Sequence, residues 1–463
     1  MAIQEYDKNS VESIYSYSFQ LTGKTLAQVV QLPTDVVNQK NRGDLGRLVE
    51  IYFFQHKPPN DHNPDFAEAG LELKTTGTLE YKRIPKSGEI LRAKERMTLT
   101  NINFLTIVNE DWESSTLLAK CNLMLILFYK YEESVSVVEQ YFNLDPLLTL
   151  MFASRLNQSP GEIQFINSTA FQLPESDLEQ IRRDWEFIRQ KIKDKRAHEL
   201  SEGDTFYLGA CRKGSGKEDE ALKKQSGSEV GAKSRAFSFK QKFLSKLVQG
   251  QSKKEVALGI GKEVTFEEAV ESKFAPFLGM AVKEISAELN YFTKAKSEKW
   301  LLAKRVLARG GQNIEEFEKA EIQLKTVSLS KSGGRREDMS FPAFKCKELV
   351  SQDWEDSDFS YQVETKFLFV VFKADSNGED RLEKVMYWNM PYEDRLEAKR
   401  VWEDAKRRVA INARDLPKRK ESKVAHVRPH ATNKKDVDLT PQGEWLVKRC
   451  FWLNGSYIAK VVS

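Results

Sequence analysis

Two acidic residues and a lysine lie close together in the segment that runs from Pro64 to Lys74. Asp65 follows the proline directly, and Glu72-Leu73-Lys74 comes after six further residues. Side chains two residues apart on a β-strand point to the same face, so Glu72 and Lys74 project together while Leu73 faces a core. Paired carboxylates suit Mg²⁺, which binds oxygen ligands and completes its shell with water and phosphate oxygens. Because an adjacent ammonium can orient or activate an attacking water, the spacing predicts metal-dependent hydrolysis at a phosphate group.

The motif alone is also compatible with a strand that has no catalytic role. Proline-aspartate followed by Glu-x-Lys occurs by chance in many chains, and an edge strand with a solvated Glu and Lys would have the same pattern. The sequence around the motif therefore has to decide between the two interpretations.

Apolar periodicity predicts the elements that position these residues. A helix from Gly43 to Gln55 has an apolar stripe at helical spacing, and Glu50 lies outside that stripe, where it can supply a further carboxylate. Other predicted helices run from about Ser10 to Val30 and from about Glu175 to Arg196. The predicted strands are Leu71 to Lys74, Leu123 to Tyr129, Thr205 to Cys211 and Arg235 to Phe239, with a long loop between the last two. Strands and helices mixed in this order indicate an α/β fold.

The chain also contains an internal repeat. Arg235 to Val248 aligns without gaps on Arg449 to Val462, and further matches follow in the same order along the chain. Phe66 to Thr75 resembles Phe317 to Thr326, and both segments end in Leu-Lys-Thr. These matches predict a divergent tandem duplication with its boundary in the Lys/Gly-rich stretch near residues 249–262.

Residues 43–75, with the runs GDLGRLVE and PDFAEAGLELKTT, closely resemble the MutH and Sau-three-AI family of GATC-specific endonucleases. That family belongs to the PD-(D/E)xK nuclease superfamily, and its pattern is a GxLGxLxE helix followed by DFxELGxELKT. The resemblance extends over roughly residues 10–250. It implies that Glu50, Asp65 and Glu72 hold Mg²⁺, that Lys74 is the catalytic lysine, and that Lys120 is a further lysine required for cutting.

The resemblance also implies which residues contact DNA. The family reads DNA through the loop after the first C-terminal strand and through the second strand, which here assigns Arg212, Lys213, Ser238 and Lys240. A bidentate arginine on guanine is the commonest specific contact in the major groove, although a surface arginine in a loop has the same appearance in a sequence. Residues 205–254 carry 12 Lys and Arg against 4 Asp and Glu, as expected for phosphate contact.

The second copy departs from the catalytic pattern. Aligning Lys325 with Lys74 places Glu316 at the Asp65 position but Gln323 at the Glu72 position. The Glu50 position falls on Lys304 or Arg305, and the Lys120 position falls on Val363 or Glu364. An amide and a cation in place of two acids predict a nuclease fold without nuclease activity. Arg428 is assigned to its DNA-binding loop, within residues 399–435, which carry 13 basic and 4 acidic residues.

Composition excludes several other classes of protein. The 463 residues carry a net charge of +4, with 40% hydrophobic residues, as in ordinary globular proteins. The longest apolar run is far shorter than a membrane span needs, and no signal peptide is recognisable. Four widely spaced cysteines indicate neither a disulfide framework nor a zinc site. A cytoplasmic protein with no membrane partner is expected.

The sequence thus predicts two tandem restriction-endonuclease-like α/β domains, each a mixed central sheet flanked by helices. Residues 1–250 form the catalytic MutH-like domain, 251–262 a linker, and 263–463 a degenerate domain that binds DNA. The resemblance implies a Mg²⁺-dependent type II restriction endonuclease that cuts double-stranded DNA before the G of 5′-GATC, dimerises on DNA and works alongside a cognate DNA methyltransferase. The alternatives are a MutH-type mismatch-repair nicking enzyme and a non-catalytic DNA-binding protein.

Overall fold

The strand that carries the Glu-x-Lys motif lies inside a mixed five-stranded sheet. The computed structural model of the chain describes residues 5–37, 45–56, 63–81, 90–152, 156, 158–213, 222–249, 255–334 and 337–463. Contacts divide the chain into two units. The first comprises residues 1–198, 206–213 and 222–254, and the second comprises residues 199–205, 214–221 and 255–463.

The described residues of the first unit form two main sheets and a separate two-stranded one. Its strands are β1 (Glu72–Glu80), β2 (Leu91–Ala93), β3 (Met97–Asn101), β4 (Leu123–Lys130), β5 (Leu147–Leu150), β6 (Phe171–Gln172), β7 (Leu208–Arg212), β8 (Lys223–Gln225), β9 (Ser228–Ala232) and β10 (Arg235–Phe239). The larger sheet has the order β2-β1-β4-β5-β6, with β1 parallel to β4 and Glu72 opposite Met124. The smaller sheet has the order β3-β10-β7 and is antiparallel. Strand β4 is buried on both faces, which confirms the prediction from its continuous apolar run.

Helices and turns cover the larger sheet. The helices of the first unit are α1 (Val11–Ser18), α2 (Leu26–Val29), α3 (Thr34–Val37), α4 (Leu45–Leu48), α5 (Thr116–Cys121), α6 (Pro160–Thr169), α7 (Glu175–Lys193) and α8 (Gln241–Gln249). The prediction of one helix from Ser10 to Val30 is wrong, because the chain turns at Gly23, whose φ of 75° is outside the helical region. A capping box at Thr25 then starts α2. Strands β8 and β9 occupy part of the region predicted as a long loop.

The second unit repeats the central part of the first, with a main sheet of three strands in place of five. Its strands are β11 (Glu255–Val256), β12 (Asn313–Ile314), β13 (Gln323–Leu329), β14 (Met339–Phe344), β15 (Phe367–Ala374), β16 (Asp380–Trp388), β17 (Ala425–Pro429), β18 (Val437–Leu439), β19 (Trp445–Val447) and β20 (Arg449–Leu453). Its helices are α9 (Phe266–Phe274), α10 (Val282–Glu288), α11 (Glu298–Leu307), α12 (Glu315–Ala320), α13 (Cys346–Ser351), α14 (Asp358–Val363), α15 (Tyr392–Ile411) and α16 (Gly455–Val461).

Strand registers support the predicted duplication. Strands β13 and β15 are parallel, with Gln323 opposite Phe367, as β1 and β4 are in the first unit. The order β14-β20-β17 matches β3-β10-β7, and β20 begins at Arg449 as β10 begins at Arg235. A separate apolar core fills each unit. The fold is therefore a restriction-endonuclease-like α/β fold that occurs twice in the chain.

Part of the predicted linker 251–262 belongs to the second unit. Residues 251–254 lie outside the described part of the chain, but Glu255–Val256 pairs in parallel with Asn313–Ile314. Leu258 and Ile260 are buried in the second unit. The apolar residues after the Lys/Gly-rich stretch thus begin the second unit instead of joining two units. No helix in the described residues is long and apolar enough to cross a membrane.

Candidate active site

A tight turn brings the two acids of the motif together. Phe66 and Leu71 exchange both backbone hydrogen bonds, at 2.9 and 3.1 Å, and Gly70 within the turn has a φ of 61°. This pairing closes the six residues between the acids into a loop, so Asp65 and Glu72 become neighbours at the start of β1. Glycine suits this position because it adopts a positive φ without steric cost.

Hydrogen bonds to the backbone fix the orientation of both carboxylates. The backbone N–H of Asp65 donates to Glu72 Oε2 at 3.1 Å, and the N–H of Leu73 donates to Asp65 Oδ2 at 2.9 Å. The two acids are 7% and 2% exposed. Each carboxylate retains further lone pairs that these hydrogen bonds do not use.

Both predicted lysines lie next to Glu72. Lys74 Nζ is 2.6 Å from Glu72 Oε1 and also donates to the carbonyl of Leu99 at 3.1 Å, so it connects β1 to β3. Lys120, in the last turn of α5, lies 3.7 Å from the same Glu72 oxygen. The structure therefore brings Glu72, Lys74 and Lys120 into one cluster.

Glu50 belongs to the same electrostatic group. It lies in a π-helical turn, Val49–Phe53, which continues α4, and such turns often occur at functional sites. Its pKa is raised to about 7, mainly by burial and also by the charges of Asp65 and Glu72, against the opposite effect of Lys74 and Lys120. The charge of Glu50 is therefore coupled to those of all four residues.

The site contains more negative charge than its cations neutralise. Burial raises the pKa of Glu72 to about 7, although Lys74 lowers it. Burial alone would lower the pKa of Lys74, but Cys121, Glu72 and Asp65 together raise it. Lys74 is therefore an ammonium at neutral pH, with hydrogen-bond donors and no lone pair to act as a base.

The donor set fits a hard divalent cation. Carboxylate oxygens of Asp65 and Glu72, with Glu50 nearby, are the ligands that Mg²⁺ takes together with water and phosphate oxygens. No group of three or more His, Cys, Asp or Glu residues within the described ranges is already spaced as a complete metal site. Mg²⁺ needs only one or two carboxylates when a substrate phosphate completes the shell, so Asp65 and Glu72 suffice.

Two neighbours of the site were not assigned a role from the sequence. His56 Nε2 hydrogen-bonds the carbonyl of Asp65, and its ring stacks on Phe66 with 4.7 Å between centroids. Cys121 is fully buried below Lys74, and burial raises the pKa of its thiol to about 12. His56 flanks the loop in the sequence, but no spacing rule connects a lone histidine to a backbone carbonyl nine residues away.

The predicted DNA-contacting residues of the first unit fall into two groups. Arg212 ends strand β7 and is half-buried, and Lys213 after it is exposed. Ser238 and Lys240 are only 1% and 5% exposed, on and just after β10. Lys240 is close enough to the buried Asp184 to affect the pKa of that carboxyl. The structure thus presents Arg212 and Lys213 at the surface and places Ser238 and Lys240 inside.

Arg428 occupies a strand and not the loop predicted for it. It lies on β17 opposite Cys450, whereas Arg212 lies opposite Arg235. Since Arg449 corresponds to Arg235, the position equivalent to Arg212 is Pro429, one residue later. Neighbouring strand residues point to opposite faces, so Arg428 and Arg212 project from different faces of corresponding strands. The sequence placed Arg428 in the loop of the second copy, whereas the structure extends strand β17 through Arg428 to Pro429.

The second unit has lost the charged pattern of the site. Ser115 and Ser357 cap the corresponding helices α5 and α14, which aligns Lys120 with Gln362 and corrects the expectation of Val363 or Glu364. Gln323 Nε2 donates to Gln362 Oε1 at 3.0 Å, where the first unit has an ion pair.

The remaining acid of that site has another role. Glu316, at the Asp65 position, accepts from the backbone N–H groups of Leu258 and Gly259 at 2.7 and 3.3 Å. It thereby anchors the first segment of the second unit.

Comparisons with known proteins agree with this geometry. The family of the DNA mismatch repair enzyme MutH matches residues 54–157, which contain Asp65, Glu72, Lys74 and Lys120 but not Glu50. The type II restriction enzyme Sau3AI of Staphylococcus aureus is 29% identical to this chain, over 97% of this chain and 98% of that enzyme. The similarity therefore runs through both units. The chain is a MutH/Sau3AI-like endonuclease, a site-specific deoxyribonuclease.

Proposed function

We propose that this protein is a type II restriction endonuclease that uses Mg²⁺ to cut double-stranded DNA before the G of 5′-GATC. The observation that carries the proposal is the cluster of Asp65, Glu72 and Lys74, in which two backbone-oriented carboxylates adjoin a buried ammonium. The end-to-end similarity to a restriction enzyme supports restriction as the biological role. The target sequence is inferred from the family alone.

In the proposed mechanism Asp65 and Glu72, with Glu50 beside them, would hold Mg²⁺ against the scissile phosphate. Bound Mg²⁺ would polarise the phosphate and lower the pKa of a water ligand. Lys74 donates hydrogen bonds, so it orients the attacking water and offsets charge in the transition state without acting as the base. The water oxygen forms the new bond to phosphorus in line with the bond to O3′. That bond breaks, leaving a 5′-phosphate and a 3′-hydroxyl.

The second unit has the proposed role of an inactive DNA-binding copy. Two uncharged amides at the positions of Glu72 and Lys120, together with a Glu316 committed to backbone N–H groups, support the loss of catalysis. A palindromic site needs a cut in each strand, so one active centre per chain must pair with another chain or cut twice. We therefore propose dimerisation on DNA, promoted by a second bound site. Equal cleavage rates for one-site and two-site plasmids at every enzyme concentration would contradict it.

Two other functions remain distinguishable by experiment. A MutH-type nicking enzyme would share the site residues, but the second unit and the coverage of 98% of a restriction enzyme favour restriction. Linear product from supercoiled plasmid without an added protein indicates restriction, whereas nicking that needs a partner and hemimethylated DNA indicates repair. A non-catalytic protein would show no Mg²⁺-dependent cleavage at all.

A cognate DNA methyltransferase is the proposed partner in the cell, because a nuclease of this kind would otherwise cut the host chromosome. Sequencing the cut ends of plasmids with and without adenine or cytosine methylation tests the target, the cut position and the protecting modification together. Ends that map to a site other than 5′-GATC would overturn the proposed target and leave the catalytic site in place.

A further inference from the structure

A basic recess of about 550 Å³ opens on the second unit, between the segment before β17 and helix α16. Four cationic side chains line it, namely Arg419, Lys420, Lys423 and Lys460. Asp394 is the one acid among its described lining residues, and its Oδ2 already accepts the hydroxyl proton of Tyr457 at 2.9 Å. The recess therefore carries an excess of positive charge.

The lysines of the recess have no counter-ion among the described side chains. Lys420, Lys423 and Lys460 are exposed, and none of them forms an ion pair with any residue that the structure describes. Many other cationic side chains of this unit form an ion pair with an acid, as Arg400 does with Glu397 at 2.7 Å. Three neighbouring unpaired ammonium groups repel one another, so a bound anion would relieve that repulsion.

A buried carboxylate connects the recess to the predicted DNA-contacting arginine. Asp338, 4% exposed, lies 3.4 Å from Arg419 and 3.3 Å from Arg428, and it accepts the N–H of Gly455 at 2.7 Å. Arg428 in turn stacks over Trp452, 3.8 Å from the ring centroid. Asp338 therefore holds one arginine at the recess and one on the adjoining strand.

Two of these lysines have no cation at the matching position of the first copy. Counting back without gaps from β17 and β7, Lys420 and Lys423 correspond to Gly203 and Phe206, whereas Lys460 matches Lys246 in the gapless repeat. The duplicated fold forms without cations at the first two positions, so Lys420 and Lys423 are not needed for folding. Their presence is better explained by a ligand of the second unit.

We propose that this recess binds the sugar-phosphate backbone of a DNA duplex, with Arg428, which lies over the buried Trp452, facing the same duplex. The inference rests on the proposed DNA-binding role of the second unit and assigns that role to a surface. DNA is the anion chosen because the chain is a deoxyribonuclease and because Asp338 couples the recess to Arg428. Backbone contacts by three lysines release condensed counter-ions, so binding at the recess depends steeply on salt.

The test compares two full-length triple variants in a Glu72→Gln background that prevents cleavage. K420Q/K423Q/K460Q removes the lysines of the recess, and K283Q/K294Q/K296Q removes three exposed lysines elsewhere in the second unit. Titration with a short duplex that contains one GATC site gives the number of duplexes bound per chain and the salt dependence of each affinity. Single-turnover cleavage of the same duplex, in the Glu72 parent, checks that the first unit is intact.

The proposal expects two duplexes per chain for the parent and the control variant. The recess variant should lose about tenfold or more in affinity for one duplex only, with a salt slope lower by about 2 to 3, and should keep single-turnover cleavage at enzyme concentrations high enough for chains to pair without the second duplex. If the recess variant still binds two duplexes with unchanged affinities and salt slopes, the recess is not the DNA-binding surface. DNA binding by the second unit would then remain as proposed, at another surface. One duplex per chain in the parent as well as in the recess variant would overturn the proposed DNA-binding role itself.

Discussion

At the scale of single residues, the site groups buried acids together, which lowers the stability of the fold. This grouping becomes favourable only when a metal ion and a phosphate are bound. Asp65 and Glu72 are buried beside each other, and Glu50 adds a third acid. Burial raises the pKa of Glu72 to about 7, although Lys74 and Lys120 lower it. Sites that hold like charges together are typical of catalytic centres.

Replacing Glu72 by Gln should abolish cleavage while preserving shape. The amide cannot bind Mg²⁺ as the carboxylate does and leaves Lys74 without its partner at 2.6 Å. We expect single-turnover cleavage to fall by about 10³-fold or more, with DNA affinity changed by no more than about threefold. Glu68→Gln is the matched control, because Glu68 is an exposed acid in the same turn and should cleave like the parent. Parental cleavage by Glu72→Gln would refute the site assignment.

Glu50 gives a pH-dependent effect on stability. Its pKa is about 7 in the folded protein and about 4.5 in an unfolded chain, so the folded state binds the proton more tightly. Its contribution to stability is therefore complete below about pH 4.5 and is lost as the pH rises through 7.

The substitution Glu50→Gln removes the loss of stability that the ionisation of Glu50 causes. In EDTA at pH 8 the variant should be more stable than the parent by about 1 to 2 kcal/mol, after discounting for partial exposure, with no gain near pH 4.5. Urea unfolding at the two pH values measures the difference. A gain of equal size at both pH values would show that charge is not its cause.

At the scale of elements, the orientation of strand β7 depends on a buried acid in α7. Asp184 is 2% exposed and accepts backbone N–H groups from Phe206, Tyr207 and Leu208 at 3.0, 2.6 and 2.9 Å. Burial raises its pKa, whereas these hydrogen bonds and Lys240 lower it. This carboxylate fixes the start of β7, whose end carries Arg212.

Asp184→Asn should therefore destabilise the first unit. An amide nitrogen cannot accept a hydrogen bond, so at least one buried backbone N–H group loses its acceptor. We expect a loss of about 2 to 4 kcal/mol in the free energy of unfolding, measured by urea denaturation. Glu186→Gln, on the exposed face of the same helix, should cost less than about 0.5 kcal/mol. Equal effects of the two changes would contradict the role given to Asp184.

How far the sequence predicted the structure differs between elements for physical reasons. Apolar residues at strand spacing placed β10 correctly from Arg235 to Phe239, and the gapless repeat placed β20 in the same register. The acids and lysines of the site were predicted because their spacing is local to one turn and one strand. The contact of Gln323 with Gln362 and the anchoring of Leu258 by Glu316 depend on tertiary packing, which no local spacing encodes.

At the scale of the whole molecule, a duplicated fold carries the full set of proposed catalytic residues in one copy only. The first unit keeps the acids and lysines, and the second replaces Glu72 and Lys120 by Gln323 and Gln362. The nearly balanced charge of +4 conceals basic segments in both copies. One proposed cutting centre and a basic segment in each copy are the features expected of an enzyme that engages two DNA segments and cuts one.

Cooperation between two sites should appear as a dependence on substrate and concentration. If chains dimerise on DNA, a plasmid with two GATC sites should be cut faster than a plasmid with one, most clearly at low enzyme concentration, because looping raises the effective concentration of the second complex. Gel analysis of initial rates measures the ratio. Adding a short GATC duplex in trans should accelerate cleavage of the one-site plasmid, and a duplex without the site should not.

The most direct test of a single Mg²⁺-dependent centre is the time course of a supercoiled GATC plasmid with parent, Glu72→Gln and Gln323→Glu enzymes, followed by sequencing of the ends. The account predicts linear DNA with 5′-phosphorylated GATC ends from the parent and from Gln323→Glu, only in Mg²⁺, and neither nicked nor linear product from Glu72→Gln. Nicked plasmid from Glu72→Gln would reveal a second active centre and contradict the account.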